Sequence, residues 1–382
     1  MQITFFSFVM SLLWFNLYII IINFFRKKDK FIISFSTLPL IFFMSLSVFR
    51  LVFNFEIPGS TIIKSKNVFP VFYTLIRKQL NSNNFNINIL QGLIFVWILV
   101  AMILIINSTI KYIKFKENLE KLSDNSSNEN EAFFHKVLKE TKMKSRINIV
   151  QNERISSAFI VGTLKGNIYI PKIDFSKEEL EYILLHEINH FLERDSLKKI
   201  LIQSLKHVFW WNPFAHLFAN NFNHILEIQC DLKTTADFTD DEKIRYLESI
   251  TKIIKNPTNN ITKHSSVPNF VNIEEINSLK QRFRTVLNYK EKRNLFNIFN
   301  IGICFLALCL YISSYFIIIQ PYYNPNNNEI YQEKDISNSF IIEKSNGSYD
   351  IYINDVLGYN IKNLDNLNED FRDLPIYKEE GD

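Results

Sequence analysis

Cysteine is scarce in this chain. Only Cys230, Cys304 and Cys309 occur in 382 residues, two of them within one hydrophobic segment, which excludes an external disulfide framework. No internal repeat is evident. Charge is missing altogether from residues 3–25, 31–49, 87–110 and 298–319, and the 47% hydrophobic composition is concentrated in such blocks. Each is long enough to cross a hydrocarbon core that takes about 20 helical residues, whereas a soluble fold would need a very large core to bury four of them. The first block lacks the basic region and small-residue cleavage site of a signal peptide, so it reads as a retained span. Pro39 leaves the second block whole on this reading, since membrane helices tolerate proline where the freed carbonyl is satisfied again.

Lys and Arg set the expected orientation. Arg26, Lys27, Lys28 and Lys30 separate the first two blocks, Lys111, Lys114 and Lys116 follow the third, and Lys290, Lys292 and Arg293 precede the fourth. The positive-inside rule makes these places cytoplasmic and puts the N-terminus and C-terminal tail outside. Lys64, Lys66, Arg77 and Lys78, between residues 54 and 86, run mildly against this. From residue 320 onward there are thirteen acidic and five basic side chains, net −8 in a chain of net +4. The basic remainder is thus expected to follow membrane topology and membrane lipid, with no direct nucleic-acid binding. The expected division is 1–116, three transmembrane helices with their loops; 117–295, a cytoplasmic domain; 296–319, a fourth transmembrane helix; and 320–382, a small acidic extracytoplasmic tail. Such a chain is expected to be a multi-pass membrane protein.

Within 117–295, a polar linker at 123–130 precedes a short helical pattern at 131–142, a strand at 146–150, and a hairpin of 158–160 with 167–170 around Gly162 and Gly166. Asp174 or Ser176 can cap the next helix, with Glu178 and Glu179 at its positive end and Leu180, Ile183, Leu184 and Ile188 on its apolar face. It reads as continuing past Arg194 toward His207, until Trp210-Trp211-Asn212-Pro213 redirects the chain. A second long helix is expected over 214–236, a loop over 255–270 and a further helix over 276–289.

The first long helix carries His186-Glu187-Ile188-Asn189-His190. Residues four apart share a helical face, so both imidazoles can meet one ion while Glu187 reaches its bound water. The pattern constrains only three positions, and the competing reading is a helix with incidental histidines. What raises it is Glu227, 37 positions after His190 on a second helix, with Asp231 one turn further, candidates for a third ligand and its support. Cys230 reads as buried packing, His207 and His216 as flanking the turn, His135 and His264 as outside the constellation, and Trp210 and Trp211 as interfacial anchors.

His186 to His190 with Asp195, Trp211-Asn212-Pro213, Glu227-Ile228-Gln229-Cys230-Asp231 and Leu279-Lys280-Gln281-Arg282-Phe283 together resemble the BlaR/MecR-type membrane zinc peptidases, over about residues 1–319. The resemblance implies an α-helical integral membrane protein of a bacterial cytoplasmic membrane, with a cytoplasmic α+β gluzincin-like zinc metallopeptidase domain. It implies Zn2+ held by His186, His190 and Glu227, with Glu187 as general base and Asp231 orienting a histidine ligand through its distal nitrogen. The implied reaction is water attack on a peptide carbonyl, with Glu187 taking the proton and returning it to the leaving nitrogen. His224 and Arg194 are the candidates for substrate or oxyanion contact. Asp195 is given a structural role, pairing near Arg194 or with a backbone donor. Leu192 and Glu193 stand where a basic pair is usual in the family. The 158–170 hairpin offers either an edge strand for an extended substrate or ordinary sheet packing.

Relatives that sense beta-lactams carry a larger extracellular penicillin-binding domain with a nucleophilic serine. After residue 319 this sequence has no S-x-x-K element and too few residues for that domain. The leading expectation is a membrane zinc endopeptidase in regulated signalling, cleaving a cytoplasmic or membrane-associated protein such as a transcriptional repressor, with the tail meeting an extracytoplasmic protein partner. The alternatives are a constitutive quality-control protease of membrane proteins and a noncatalytic receptor scaffold, the latter disfavoured by the intact Glu187. A homodimer is one assembly considered.

Overall fold

The structure, a computed structural model, describes residues 5–55, 57, 60–65, 79–82, 85–123, 130–142, 146–254, 273–289, 298–321, 339–344, 347–353, 356–361, 364 and 374–378. Most of the linker at 123–130, the loop at 255–270 with His264, and Lys66, Arg77, Lys78, Lys290, Lys292 and Arg293 lie outside the described residues. The elements run α1 (Phe5–Arg26), α2 (Asp29–Phe35), α3 (Leu38–Val52), β1 (Thr61–Ser65), β2 (Gln79–Ser82), β3 (Phe85–Asn88) and α4 (Ile89–Ser123). Then follow α5 (Glu131–Glu140), β4 (Ile147–Asn152), β5 (Phe159–Val161), β6 (Gly166–Pro171), α6 (Lys177–Leu192), α7 (Asp195–Val208), α8 (Pro213–Thr234), α9 (Asp240–Ile254) and α10 (Ile273–Asn288). The chain closes with α11 (Ile298–Ser313), β7 (Ile317–Pro321), β8 (Ser339–Glu343), β9 (Tyr349–Ile353), β10 (Val356–Ile361) and β11 (Ile376–Lys378).

The charge-free blocks do not all become spans. Helices α1 and α4 are long and apolar enough to cross a membrane. The second block is broken instead, with α2 and α3 meeting at 101°. Ser36, at φ 62°, leaves the right-handed helical region and ends α2. Pro39 lies in the first turn of α3, where a missing N–H leaves no bond unmade, so the proline begins a helix rather than bending one. In the fourth block α11 has 16 residues, about 24 Å of helix against a hydrocarbon core of about 30 Å. The β-branched run Ile317-Ile318-Ile319 then pairs as strand β7, parallel to β1.

These breaks correct the expected topology. Among the described residues there are two candidate spans, or three if the bent pair counts as one, rather than four. The cytoplasmic placement of the α+β domain required three full crossings ahead of residue 131. Two crossings, α1 and α4, return the chain to the side of its N-terminus, which the charge argument put outside, so the cytoplasmic assignment is withdrawn. What stands is a helical membrane region followed by a mixed α+β domain.

Two compact units divide the chain. One comprises Met1–Leu12, Phe53–Trp97 and Ile312–Asp382. It holds the β1–β7 pair, the β2–β3 hairpin and a four-stranded sheet of order β10-β9-β8-β11, whose inner side buries Ile341, Ile351, Ile353 and Ile361. Gly347, at φ 79°, supplies the left-handed residue of the turn between β8 and β9.

The other unit, Leu13–Val52 with Ile98–Tyr311, carries the site. Its three-stranded sheet has the order β4-β6-β5, parallel between β4 and β6 and antiparallel between β6 and β5, which leaves β5 at an edge. Helices α5 and α6 close one face of the sheet through Phe134, Val137 and Leu138 on α5, Ile147, Ile168 and Ile170 on the strands, and Leu180, Leu184 and Ile188 on α6. A Cβ on Gly166 would lie 3.0 Å from the Phe191 ring, so glycine there lets β6 approach α6 closely. Helix α6 starts in a capping box: the Ser176 side chain accepts from the Glu179 N–H at 3.1 Å, and the Ser176 N–H donates to the Glu179 carboxylate at 2.7 Å. Ser176→Ala is expected to destabilise the unit by about 1 kcal/mol, read as a lowered thermal midpoint with unchanged helix content at 25 °C.

Candidate metal centre

The run of apolar side chains that buries α6 leaves His186 and His190 to face Glu227 on α8, while Glu187 lines the cavity they share with residues 157–160. The expected single helix to His207 is in fact two. Arg194 adopts φ 55°, a left-handed turn that ends α6 after Leu192 and starts α7 at Asp195. That turn swings the Asp195 carboxylate back onto His190, where it accepts from Nδ1 at 2.7 Å while Lys198 holds its other oxygen at 2.9 Å. Asp195 therefore serves a histidine, not Arg194 or a backbone donor.

Helix α8 begins at Pro213 with Asn212 as its cap and brings Glu227 to the histidines. Its Oε2 lies 3.8 Å from His186 Nε2 and 3.7 Å from His190 Nε2, and the two Nε2 atoms are 3.1 Å apart. Three donors each about 2.1 Å from one tetrahedral ion stand about 3.4 Å from one another, so this triangle has the size of a three-ligand site.

Protonation on the far side of each ring follows from the hydrogen bonds. Tyr246, on α9, donates its one hydroxyl proton to Asp231 Oδ1 at 2.7 Å, so at 2.9 Å from His186 Nδ1 its oxygen can only accept. His186 thus carries its proton on Nδ1, as His190 does toward Asp195. With both rings neutral, the two Nε2 atoms and the carboxylate oxygen meet with no donor among them. A cation fits that arrangement and a neutral packing contact does not.

The electrostatics agree. Burial lowers the His186 pKa to about 4, overriding the pull of Asp231, and keeps the ring neutral as a ligand must be. Burial opposes charge on His190 as well, yet the bonds to Asp195, Cys230 and Glu227 raise it to about 12: the groups around this ring favour a positive charge, which a bound metal ion would supply in place of the second ring proton. Burial would raise Glu227, but His190, Arg282 and Lys199 keep its carboxyl well below the usual range. Burial pushes Glu187 up to about 7.

Asp231 stands 3.5 Å from His186 Nδ1, with the Tyr246 hydroxyl bonded to both. Arg282, on α10, grips Asp231 with two bonds of 2.6 and 2.8 Å and reaches Glu227 at 3.5 Å, and Lys199 donates to Glu227 at 3.2 Å. Tyr246 and Lys199 were not anticipated, and Arg282 had no assigned role. The helix that carries Tyr246 has a readable start, Thr239 three residues ahead of Glu242, whose side chains exchange bonds with the opposite backbone N–H groups. Tyr246→Phe is expected to lower metal affinity by roughly 10–100-fold, because His186 loses the acceptor that fixes its tautomer; chelator competition measures it.

Cys230 is three residues from Glu227 and shares its helical face, so the structure brings it to the cluster: one donor atom each of His186, His190 and Cys230 lies within 4.8 Å of the others. Its sulfur donates to the His186 carbonyl at 3.2 Å and sits 3.6 Å from Nδ1, the protonated side of that ring. Burial pushes its thiol up to about 11. A single imidazole cannot bind one ion through both nitrogens, so an ion shared by the two Nε2 atoms and Glu227 would lie across the His186 ring from the Nδ1 that the sulfur approaches.

A cavity of about 260 Å³ opens over the cluster, lined on one side by His186, Glu187, His190 and Glu227 and on another by residues 157–160, which lead into β5, the edge strand of its sheet among the described residues. His224 and Arg194 are not among its lining residues. His224 is buried with both ring nitrogens engaged by α10, Nε2 to Gln281 at 2.8 Å and Nδ1 to Ser278 at 2.5 Å. Arg194 is exposed at the α6–α7 turn.

The chain is similar to several curated proteins. It is 28% identical to the Regulatory protein BlaR1 of Bacillus licheniformis over 202 residues, 51% of this chain and 32% of that protein. It is 30% identical to the Methicillin resistance mecR1 protein of Staphylococcus aureus over 112 residues, 28% of this chain and 19% of that protein. It is 28% identical to the Regulatory protein BlaR1 of Staphylococcus aureus over 274 residues, 67% of this chain and 44% of that protein. The chain therefore spans less than half the length of each of these relatives. The family model described as BlaR1 peptidase M56 matches residues 30–286, more than half of the chain. Because that match encloses both histidines, Glu187, Glu227 and the Asp231–Tyr246–Arg282 support, the chain belongs to the BlaR1 peptidase M56 family.

Proposed function

We propose that this chain is a membrane zinc endopeptidase acting in regulated signalling, with residues 117–295 as its peptidase domain. The observation that carries the reading is the convergence of His186 Nε2, His190 Nε2 and Glu227 Oε2 within 3.8 Å at a cavity that also exposes Glu187. Two imidazoles and one carboxylate suit zinc and leave it an open position. A zinc ion held there would polarise a peptide carbonyl and acidify a water molecule.

The chain's own residues do the rest. Glu187 accepts the proton of the attacking water and delivers it to the leaving nitrogen. Asp195 fixes His190, and Tyr246 with Asp231 fixes His186, each through Nδ1. An extended substrate segment adds to the edge strand β5, which sets its carbonyl over the cluster by main-chain hydrogen bonds. The relatives' names, Regulatory protein BlaR1 and Methicillin resistance mecR1 protein, point to a regulatory protein as substrate, of which a transcriptional repressor or a membrane protein is the specific expectation.

Metal removal tests this reading. Protein purified in lipid nanodiscs is expected to contain one zinc per chain by mass spectrometry, to lose cleavage of co-purifying proteins after chelation and to regain it with added zinc. Cleavage that persists in the metal-free protein would remove the basis of the proposal.

A further inference from the structure

Helices α7 and α8 form a hairpin whose elbow, residues 209–213, points away from the metal centre along α1. Asn212, the cap of α8, donates from Nδ2 to Asn16 Oδ1 at 2.9 Å, and one turn on, the Phe218 ring lies 5.7 Å from that of Phe15. Asn16 is near the middle of α1, ten residues or about 15 Å from its end at Arg26. That is half of a hydrocarbon core of about 30 Å. At the other end of α8, Glu227 is fifteen residues from Asn212, roughly 22 Å along the helix, which places the metal centre just beyond the end of the span. The same level is marked independently on α10, where Gln281 donates to the Arg26 carbonyl at 2.7 Å and Arg284 pairs with Asp29 at 3.3 Å.

The outer side of the hairpin is apolar. Leu197, Ile200 and Leu201 on α7 and Trp211 at the elbow are 42–61% exposed, as are Leu17, Ile20 and Phe24 on α1. Against water such side chains would be an exposed apolar stripe; on a hairpin bonded to the middle of a membrane span, they have a natural solvent in acyl chains. Lys206, one turn before the elbow, has a stem long enough to carry its ammonium toward the headgroups.

We propose that the α7–α8 elbow is inserted into the lipid layer beside α1, with Leu197, Leu201 and Trp211 against acyl chains, although the hairpin does not span the bilayer. The peptidase cluster is then tied to a wedge sunk in the bilayer rather than tethered above it. This inference stands on the α1 contacts and does not depend on catalysis.

Nitroxide labels at Leu197→Cys, Leu201→Cys and Trp211→Cys, introduced one at a time in a Cys304→Ser, Cys309→Ser background and reconstituted in phosphatidylcholine–phosphatidylglycerol nanodiscs, test it by power saturation. Accessibility to oxygen is expected to exceed that to a water-soluble nickel chelate at all three positions, with the ratio rising from 197 to 211. Higher nickel than oxygen accessibility overturns the proposal. So does low access to both reagents with dipolar broadening, which would mean that a second copy covers the face. Unlabelled protein gives a second measurement: lipids brominated at mid-chain should quench its tryptophan emission, and the quenched fraction should drop in Trp211→Phe. An unchanged quenched fraction counts against insertion.

Discussion

Replacing Glu187 with Gln is expected to reduce peptide cleavage by about 10²–10⁴-fold, the usual worth of a general base, while bound metal stays at the level of the native chain. Glu187 lines the cavity beside both histidines. Burial pushes its pKa up to about 7, with the charge of Glu227 adding to the rise and that of His190 opposing it. Near neutrality such a group divides between carboxylate and acid, so it can take a proton from water and give it up to an amine within one turnover. Gln keeps the size and removes both abilities, and it leaves the Nε2–Nε2–Oε2 triangle untouched. New N-termini detected by mass spectrometry in membranes carrying the native or the Glu187→Gln chain read the cleavage, and elemental analysis reads the metal. A variant that loses metal along with activity would report a structural role instead, and one that cleaves at the native rate would exclude Glu187 from the chemistry.

The second large effect is expected from Glu227→Gln. It should weaken metal binding by more than the roughly 10–100-fold typical of a residue that only supports a ligand, and cleavage should fall with it. The substitution removes the negative donor of the triangle and leaves Lys199 at 3.2 Å and Arg282 at 3.5 Å facing an amide rather than a carboxylate. Cys230→Ser is the companion variant. If the ion sits between the Nε2 atoms and Glu227, the serine chain binds metal close to the native affinity, because the Cys230 sulfur lies on the protonated side of His186. The opposite ranking, with Cys230→Ser the weaker binder in a chelator titration, would transfer the third position to sulfur and end the assignment of Glu227.

Periodic patterns were readable because they depend on chain geometry alone. The apolar positions 180, 183, 184 and 188 mark the face of α6 that meets the sheet, and the spacing of four between His186 and His190 makes their rings neighbours at 4.7 Å whatever surrounds them. Breaks were poorly readable. The charge-free block at 31–49 looked continuous, and hydrophobicity does not report that Ser36 would turn left-handed or that Pro39 would open a new helix. Arg194 hid a similar turn, since arginine is an ordinary helix former and only the fold selects its φ of 55°. With those breaks went the crossing count, and with the count the side assigned to the peptidase domain.

What this sequence determined alone was local: which stretches are too apolar for water, where α6 is capped, and that two imidazoles with a carboxylate between them share one helical turn. Tertiary structure decided what those groups meet. Asp195, Glu227, Asp231, Tyr246 and Arg282 arrive from four further helices, and no spacing along the chain encodes a hydrogen bond of 2.7 Å between His190 and Asp195 or the relay from Asp231 through Tyr246 to His186. The reason is physical: helical periodicity is fixed by covalent geometry within a few residues, whereas the tautomer and charge of a buried ring depend on partners delivered by packing across as many as 60 positions of chain.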